Sequence, residues 1–285
     1  MKIAIASGKG GTGKTTVATN LATVASLAGS DVTLLDCDVE EPNCHIFVKP
    51  EIRLTCPVTV PVPKVDAEKC TGCGKCGEVC RYSAIVCLKG KVLVFPELCH
   101  GCGGCQLFCP VEAISEEGRE VGVVEVGRAK GFTFAQGRLR IGEAMSPPLI
   151  KAVKKAANKA DLVIIDAPPG TSCPVIESVR DSDFVMLVTE PTPFGLNDLK
   201  LAVEMVRALE LTFGVVINRA DVGDDKVQLY CSDNGIAILE QIPDDRRIAE
   251  AYSRGEMICE TLPEYGSLFV QLLSRITEEV KIHAG

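Results

Sequence analysis

The sequence predicts an α/β protein whose core is a doubly wound, mostly parallel β-sheet, interrupted by a second, small α+β unit that is rich in cysteine. Three observations support this prediction. Strand patterns alternate with helical patterns along most of the chain, a glycine-rich loop joins the first strand to the first helix, and the alternation stops between about residues 56 and 118. We therefore assign residues 1–58 and 119–285 to the α/β domain and residues 59–118 to the inserted domain.

Six apolar segments have the composition of buried parallel strands, which are nearly continuous hydrophobic runs. They are KIAIAS at 2–7, VTLLD at 32–36, LVIID at 162–166, FVMLVTE at 184–190, TFGVVIN at 212–218 and IAILEQIP at 236–243. Helical patterns between or after them cover residues 14–28, 196–209 and 268–280. This alternation favours a twisted sheet with helices on both faces.

The segments around the cysteine-rich unit have a different pattern. CPVTVPVPKVD at 56–66 contains three prolines, which favour extended backbone. After the unit, VGVVEVG and GFTFAQGRLRIG predict two short antiparallel strands, with Gln136-Gly137 at the hairpin turn. SPP at 146–148 suits the first turn of a helix, and the basic segment 151–159, in which lysine alternates with alanine, predicts a solvated helix face.

A phosphate-binding loop follows the first strand. GKGGTGKT at 8–15 satisfies G-x-x-x-x-G-K-[ST] between a strand and a helix, which is the context the motif requires. Glycines let backbone N–H groups converge on phosphate oxygens, Lys14 is expected to reach the β and γ phosphates, and the Thr15 hydroxyl is expected to bind Mg²⁺. The residues expected to bind ATP or ADP here are Gly8, Gly10, Gly11, Thr12, Gly13, Lys14, Thr15 and Thr16.

The form KGGTGKTT resembles the deviant P-loop of the MinD/ParA/Mrp group of ATPases, which are P-loop NTPases of the SIMIBI type and include the nitrogenase iron protein. In that group the early lysine reaches across a dimer to the phosphates of the partner. The resemblance therefore implies a homodimer in the ATP-bound state and a catalytic role for Lys9 beside Lys14.

Aspartates end two of the predicted strands. Asp36 and Asp38 follow the second strand, where a doubly wound sheet presents its catalytic groups. A carboxylate there can hold Mg²⁺ or orient the attacking water, whereas the structural alternative is two caps of a helix or turn. The family resemblance favours Asp38 for the water, Asp36 for the surroundings of the metal, Asp166 for the Mg²⁺ side and Gly170 as the switch glycine.

Two further matches to the family concern the adenine. Asn218 in VVINRAD and Pro243-Asp244 in IPDD stand where the relatives bind the base. The alternative for Asn218 is a polar cap at the end of a strand. The resemblance covers most of the chain outside the insertion.

The insertion contains an internal repeat of 29 residues, in which C-x2-C-x2-C-x3-C occurs at 70–80 and again at 99–109. Three thiolates on one tight loop suit a [4Fe–4S] cluster, and in two-cluster ferredoxins the fourth cysteine ligates the other cluster. Zinc, which also takes four thiolates, is the alternative. The predicted ligand sets are therefore crossed: Cys70, Cys73, Cys76 and Cys109 for one cluster, and Cys99, Cys102, Cys105 and Cys80 for the other.

This segment resembles bacterial ferredoxins over about 50 residues, including the proline that follows Cys109. It departs from them at Arg81, which follows Cys80. Cys173 resembles the cluster-bridging cysteine of the nitrogenase iron protein, but the second cysteine of that bridge is missing upstream, and the C-x-x-C typical of Mrp-type cluster carriers is absent. The remaining cysteines have no metal-ligand spacing and are expected to be small buried hydrophobes: Cys37, Cys44, Cys56, Cys87, Cys231 and Cys259.

Charge and composition exclude several classes of partner. The formal net charge is −8 and the sequence pI about 5.1, which argue against a surface for nucleic acid. No apolar run approaches the ~20 residues that a membrane span needs, and no secretory signal is visible. Cysteines grouped together in a nucleotide-binding chain predict a reducing, cytoplasmic environment and metal rather than disulfides.

Together these features predict an ATP-hydrolysing iron–sulfur protein, in which a nucleotide-switched dimer gates electron transfer through two [4Fe–4S] clusters to a redox partner. The alternative is an ATPase that assembles or delivers a metal cluster to a client protein. A third class, a positional switch on membrane or DNA, is disfavoured because the C-terminal helical pattern has no basic face.

Overall fold

The structure is a computed structural model that describes residues 1–157 and 160–283. It divides into two compact units. Unit 1 comprises Met1–Cys56, Val124–Arg138 and Leu149–Gly285, and unit 2 comprises Pro57–Val123 and Leu139–Pro148. The assignment of residues 59–118 to a separate inserted domain stays a prediction.

The strands are β1 Lys2–Ala6, β2 Val32–Asp36, β3 Glu51–Val65, β4 Ile85–Leu88, β5 Lys91–Val94, β6 Ile114–Ala129, β7 Phe132–Leu139, β8 Leu162–Asp166, β9 Phe184–Thr189, β10 Phe213–Asn218 and β11 Ile238–Ile242. The helices are α1 Lys14–Leu27, α2 Cys44–Val48, α3 Lys75–Val79, α4 Gly104–Leu107, α5 Pro147–Lys155, α6 Cys173–Val179, α7 Pro193–Ala208, α8 Lys226–Asp233, α9 Arg246–Ser253, α10 Ile258–Thr261 and α11 Pro263–His283. A 3₁₀ turn covers Pro96–Leu98.

The large sheet has the order β11-β10-β9-β1-β8-β2-β7-β6-β3. β1 pairs in parallel with β8 and β9, β10 with β9 and β11, and β2 with β8 and β7. Every residue of β2, β8 and β9 is buried, as expected for strands covered on both faces. The predicted α/β fold with a large, mostly parallel sheet is confirmed, and the carboxyl ends of its parallel strands meet at one edge.

The predicted hairpin turn at Gln136-Gly137 is wrong. These residues lie inside β7, and β6 is a long strand of 16 residues. The turn is Lys130-Gly131, where φ is 46° and 87°, as a tight two-residue hairpin requires. A Cβ on Gly137 would lie 2.5 Å from Val39 Cγ1, so this glycine permits close packing and does not mark a turn.

Proline shapes the strand that leads into the cysteine-rich sequence. β3 contains Pro57, Pro61 and Pro63 and is the last strand of the sheet. An edge strand tolerates proline because the backbone N–H groups on its outer side have no neighbouring strand to bond to. The predicted helix start at 146–148 corresponds to α5, whereas residues 158 and 159 of the predicted basic segment lie outside the described residues.

Unit 2 is built from short elements. β4 and β5 form an antiparallel hairpin, and α3 and α4 have only five and four residues. Its apolar side chains form two small clusters, one around Val60, Val62 and Val121 and the other around Ile85 and Ile114. Helices this short have little intrinsic stability, so tertiary packing must hold them.

The C-terminal helix belongs to the core of unit 1. In α11 the side chains of Phe269, Leu272 and Ile276 are fully buried in the main hydrophobic cluster. This packing accounts for its apolar face. Within residues 1–157 and 160–283, none of the helices combines the length and the apolar character needed to span a bilayer.

Candidate nucleotide and metal sites

The phosphate loop lies between β1 and α1, at the carboxyl edge of the parallel strands. Gly11 and Gly13 have φ of +78° and +97°, a conformation that favours glycine. A Cβ on Gly13 would lie 2.6 Å from the side-chain nitrogen of Asn218. α1 carries no acidic residue in its first turn, so its N-terminus is left free to face an anion.

The two motif residues that follow the loop are engaged within it. Lys14 is buried, and its Nζ donates to Ser7 Oγ at 3.0 Å. Burial lowers the pKa of Lys14, while the charges of Asp166 and Asp38 oppose this effect. Thr15 Oγ1 donates to Asp166 Oδ2 at 2.6 Å, which joins the loop to the end of β8. Both side chains are positioned for a phosphate and its cation.

A cavity of about 410 Å³ opens above the loop. Such a volume is in the range of small-molecule sites. The predicted residues that line it are Gly10, Gly11, Gly13, Lys14, Thr15, Thr16, Asp38, Asn218, Pro243 and Asp244. Of the other predicted residues, Gly8, Lys9, Thr12, Asp36, Asp166 and Gly170 are not part of this lining among the described residues.

Several lining residues were missed by the sequence analysis. Asp245, Ile248, Ala249 and Tyr252 present one face of α9 and its N-cap to the cavity. Their spacing of three, one and three residues is helical, and this signal follows directly after Pro243-Asp244. The remaining missed lining residues are Glu41, Asn43, Pro169 and Arg219.

Three carboxylates gather beside the loop because β2 and β8 are paired in register, with Asp36 opposite Asp166. Asp36 accepts hydrogen bonds from the backbone N–H groups of Asp38 at 3.1 Å and of Asn43 and Cys44 at 3.0 Å. Burial, followed by the charge of Asp166, raises the pKa of Asp36, and burial raises the pKa of Asp166. Burial also raises the pKa of Asp38 to about 6.

These groups fit a divalent cation at the base of the cavity. Asp166 Oδ1 is buried and has no hydrogen-bond partner among the described residues. A buried, unpartnered carboxylate oxygen is costly unless a ligand satisfies it. Oxygen donors from Thr15, Asp36 and Asp166 are also the chemical type that Mg²⁺ prefers. The arrangement can therefore hold Mg²⁺ next to a phosphate.

Lys9 is held by an ion pair. Its Nζ lies 3.1 Å from Glu190 Oε2, while Arg219 lies 3.3 Å from the other oxygen of Glu190. Arg219 also contacts Asp244 at 3.4 Å. Glu190 is buried at the end of β9, and its role as the partner of Lys9 was not predicted.

Two other predicted residues contact the phosphate loop or the end of β1. The backbone N–H of Gly170 donates to the carbonyl of Ser7 at 2.9 Å, and Gly170 has φ of +99°. The side-chain nitrogen of Asn218 donates to the carbonyl of Thr12 at 2.9 Å. A contact between Asn218 and adenine stays a prediction.

In unit 2 the structure brings the eight repeat cysteines together in two groups of four. One small cavity is lined by Cys70, Cys73, Cys76 and Cys109, and a separate one by Cys80, Cys99, Cys102 and Cys105. Each group combines three cysteines of one loop with the fourth of the other.

The two loops share one backbone design. Gly72 and Gly74 have φ of +70° and +81°, and their repeat equivalents Gly101 and Gly103 have +64° and +70°. A Cβ on Gly72 would lie 2.5 Å from the Gly90 carbonyl oxygen. The alternating glycines therefore let each loop curl tightly around its cavity.

The spacing of the sulfur atoms bears on the choice between iron–sulfur clusters and zinc. In a tetrahedral zinc site the sulfurs lie about 3.8 Å apart, given Zn–S bonds of about 2.3 Å. Among the described residues, no three of the eight cysteines bring their sulfur atoms within 4.8 Å of one another. In any three of these cysteines, at least one pair of sulfur atoms is therefore farther apart in this structure than in a closed zinc site.

Backbone N–H groups point at several of these sulfurs. Gly101 donates to Cys99 Sγ at 3.4 Å and Ala113 to Cys109 Sγ at 3.3 Å. Burial opposes ionisation of Cys80, but backbone N–H groups of residues 82–85 outweigh it and lower the pKa of this thiol. Thiolate character is what metal ligation requires.

The contacts that several polar and aromatic side chains of unit 2 make with one another were not predicted. Tyr82 stacks on His100 with ring centroids 3.6 Å apart, and both residues line the cavity. Arg119 forms a buried ion pair with Glu143, whose carboxylate also accepts from the Met145 N–H at 3.2 Å. The ring stack and the ion pair join residues that are 18 and 24 positions apart, so no local pattern indicated them.

The other cysteines are placed differently. Cys173 is exposed at the first position of α6, and Arg81 is also exposed. Cys37 and Cys231 are buried, as expected for small hydrophobes. The expectation is wrong for Cys56, which is exposed, and holds only in part for Cys87 and Cys259, which are half-buried. Cys44 is also buried, but its Sγ donates to Asp166 Oδ2 at 3.3 Å, so it lies in the acidic group and does not pack only as a hydrophobe.

Comparison with known proteins agrees with a nucleotide-binding site. Residues 3–258 match the model of the CobQ/CobB/MinD/ParA nucleotide binding domain. An uncharacterized protein of Methanocaldococcus jannaschii is 32% identical over 280 residues, which cover 98% of this chain and 97% of that protein. The iron–sulfur cluster carrier protein of Aquifex aeolicus is 26% identical over 301 residues, which cover 98% of this chain and 68% of that protein.

Among solved structures, the septum site-determining protein MinD of Pyrococcus horikoshii, complexed with Mg-ADP, has a TM-score of 0.61 and 19% identity. The match covers 96% of this chain and 95% of that chain, and it concerns the fold. From the family match and the phosphate loop, the chain belongs to the CobQ/CobB/MinD/ParA family of nucleotide-binding proteins and is an ATPase of the MinD/ParA type.

Proposed function

We propose that this ATPase is an iron–sulfur protein in which an ATP-dependent homodimer gates electron transfer through two [4Fe–4S] clusters to a partner protein. The single observation that carries the proposal is the crossed arrangement of the eight cysteines around two cavities, within a chain of the MinD/ParA family. In this reading residues 59–118 form a ferredoxin-like domain inserted in the ATPase domain.

The clusters would be held by two sets of four thiolates. Cys70, Cys73, Cys76 and Cys109 hold one, and Cys99, Cys102, Cys105 and Cys80 hold the other. A bound [4Fe–4S] cluster supplies one-electron redox chemistry. The protein contributes thiolate ligands, backbone N–H groups directed at the sulfurs and tight glycine turns that set the shape of each loop.

At the nucleotide site, backbone N–H groups of Gly8 to Thr16 bind the phosphates and Lys14 neutralises charge on the β and γ phosphates. Thr15, Asp36 and Asp166 hold Mg²⁺. Asp38 lines the cavity and is partly exposed, which suits a carboxylate that orients the attacking water. Asn218, Pro243 and Asp244 contact the adenine. Hydrolysis converts ATP and water to ADP and phosphate.

The switch between nucleotide states uses Lys9 and Gly170. The bond from the Gly170 N–H to Ser7 connects the segment after β8 directly to the start of the phosphate loop, so a γ-phosphate can alter that segment. Lys9 leaves Glu190 in the ATP-bound dimer and reaches the phosphates of the partner. Dimer formation on ATP binding then controls when an electron reaches the acceptor.

The proposal is tested on protein purified without oxygen. Iron and acid-labile sulfide are counted, and the reduced clusters are followed by EPR with and without MgATP. About eight irons per chain are expected, with spectra or midpoint potentials that shift on ATP. The matched control is Lys14→Ala, in which iron content is retained and the ATP-dependent shift is lost.

Zinc in place of iron would contradict the cluster assignment. Stable clusters that are indifferent to ATP would instead contradict the gating. The cluster assignment and the gating by ATP can therefore be contradicted independently of each other.

The second candidate function is assembly or delivery of a cluster to a client protein, and the name of the A. aeolicus relative favours it. The predicted ligation by four thiolates argues against delivery. A cluster with four cysteine ligands is a stable electron carrier and is not easily transferred to another protein. Incubation with a cluster-free acceptor protein separates the two: delivery predicts loss of iron from this chain and gain by the acceptor. Retained iron supports electron transfer. We place either activity in the cytoplasm, with no nucleic acid or membrane as partner.

A further inference from the structure

A buried thiol lies among the acidic side chains at the magnesium end of the nucleotide cavity. Cys44 is the first residue of α2, and none of its surface is exposed. Its Sγ donates to Asp166 Oδ2 at 3.3 Å. Mg²⁺ selects oxygen ligands and gains nothing from a thiol, so the magnesium site proposed above gives no reason for sulfur at this position.

The thiol and two carboxylates form a compact set of donors. Asp36, Cys44 and Asp166 each offer one ligand atom, and these three atoms lie within 4.8 Å of one another. All three residues are buried. Donor atoms around a tetrahedral zinc ion are separated by about 3.3–3.8 Å, given bonds of roughly 2.0–2.3 Å. To coordinate one ion, the three donor atoms therefore need to approach one another by at most about 1–1.5 Å.

Two further features indicate a cation at this set. Asp166 Oδ1 is buried without a hydrogen-bond partner among the described residues. Asp36 is held in a fixed orientation by three backbone N–H groups, which leave it free lone pairs. Lys14, whose charge acts on Asp166, donates its Nζ to Ser7. The buried acidic set therefore still has unsatisfied capacity for positive charge.

We propose that Asp36, Cys44 and Asp166 bind a divalent cation of borderline softness, of the class of Zn²⁺, Co²⁺ and Fe²⁺. One thiolate and two carboxylates suit these ions, whereas oxygen-only sites suit Mg²⁺. Binding breaks the S–H bond of Cys44, its proton passes to solvent, and one metal–sulfur bond and the metal–oxygen bonds form. No electron is transferred.

This binding rests on neither the iron–sulfur clusters nor the proposed electron transfer. It does share Asp36 and Asp166 with the proposed Mg²⁺ site, so the two cations exclude each other. A thiophilic metal at Cys44 would then hold the ATPase in a state without Mg²⁺.

The direct test is ¹¹³Cd NMR on the full chain with its native metal content retained and one equivalent of ¹¹³Cd²⁺ added. The chemical shift of cadmium separates one-sulfur, oxygen-rich coordination from sulfur-rich coordination. We expect a resonance of the first kind, displaced by Zn²⁺. Cys44→Ser should abolish it and weaken Zn²⁺ binding at this site at least about tenfold.

Cys231→Ser is the matched control, because Cys231 is equally buried in unit 1 and is not a member of this donor set. It should keep the resonance. Absence of a one-sulfur resonance in the unsubstituted chain overturns the proposal without any variant, as does its persistence in Cys44→Ser. Cadmium found only in sulfur-rich coordination, at the cysteine repeats, overturns it too.

Discussion

The nucleotide cavity and the cysteine-lined cavities are assembled in different ways. The nucleotide cavity takes residues from segments as far apart as Gly10 and Tyr252, held by a large sheet with a continuous apolar core. The cysteine cavities take their cysteines from two loops 29 residues apart, each of which contains one short helix, of five and four residues respectively.

This difference implies different sources of stability. In unit 1 buried strands and helices supply the free energy of folding, and the site is a consequence of that fold. In unit 2 the cysteines themselves belong to the small apolar clusters: Cys99 lies in one and Cys76 in the other. A metal bound there would become part of the core, so its binding and the folding of the unit would be coupled. Unit 1, by contrast, has a large apolar core formed by its own side chains.

The largest effect is expected at Lys14. Its substitution should strongly reduce ATP hydrolysis and leave the cysteine-lined cavities of unit 2 intact. Lys14→Ala removes the charge that binds the β and γ phosphates, so ATP hydrolysis should fall about a hundredfold or more. Iron content should be unchanged, because no cysteine is altered. A phosphate-release assay and iron counting measure the two outcomes. Hydrolysis close to that of the unsubstituted chain would remove Lys14 from the mechanism.

Removal of iron tests the difference in stability. Treatment with a chelator under reducing conditions should accelerate amide hydrogen exchange throughout unit 2 and leave the strands of unit 1 protected. Hydrogen exchange read by mass spectrometry resolves the two regions. Equal protection of α3 and α4 before and after chelation would show that unit 2 folds without metal.

Substitution of single cysteines sharpens the assignment of the crossed sets. Cys109→Ser should disturb the same cluster as Cys70→Ser, although residue 109 lies on the other loop, and each should lower iron by about half. Cys80→Ser should disturb the other cluster. EPR of the reduced variants identifies which signal is lost. If Cys109→Ser altered the same signal as Cys99→Ser, each loop would bind its own cluster and the sets would not be crossed.

The smallest effect is expected at a glycine of the first cysteine loop. Gly72→Ala combines a positive φ with a Cβ only 2.5 Å from the Gly90 carbonyl oxygen, whereas Gly142, also in unit 2 at positive φ, faces open space. Gly142→Ala should cost about 1 kcal/mol of stability, and Gly72→Ala about 2–3 kcal/mol. Thermal unfolding of iron-loaded protein measures both. Equal costs would show that the loop shifts to accept the side chain.

Local patterns predicted the parts of the fold that depend on neighbouring residues. The six predicted parallel strands are found where continuous apolar runs stand, and α1 begins directly after the glycines of the phosphate loop. The prediction failed at Gln136-Gly137, because a glycine in a strand that permits close packing against Val39 has the same local sequence as a glycine in a turn. The place of β7 beside β2 was also missed, since pairing of distant strands leaves no trace in either segment alone.

By itself, the sequence determined the phosphate loop, the aspartates at the ends of β2 and β8 and the spacing of the eight cysteines. Each of these depends on backbone conformation or periodicity within a short stretch of chain. Only the tertiary structure decided that Asp36 lies opposite Asp166, that Cys44 joins them and that Glu190 holds Lys9. Those contacts follow from the register of parallel strands and from buried side chains of distant segments, and the energy that selects them exists only once the core has formed.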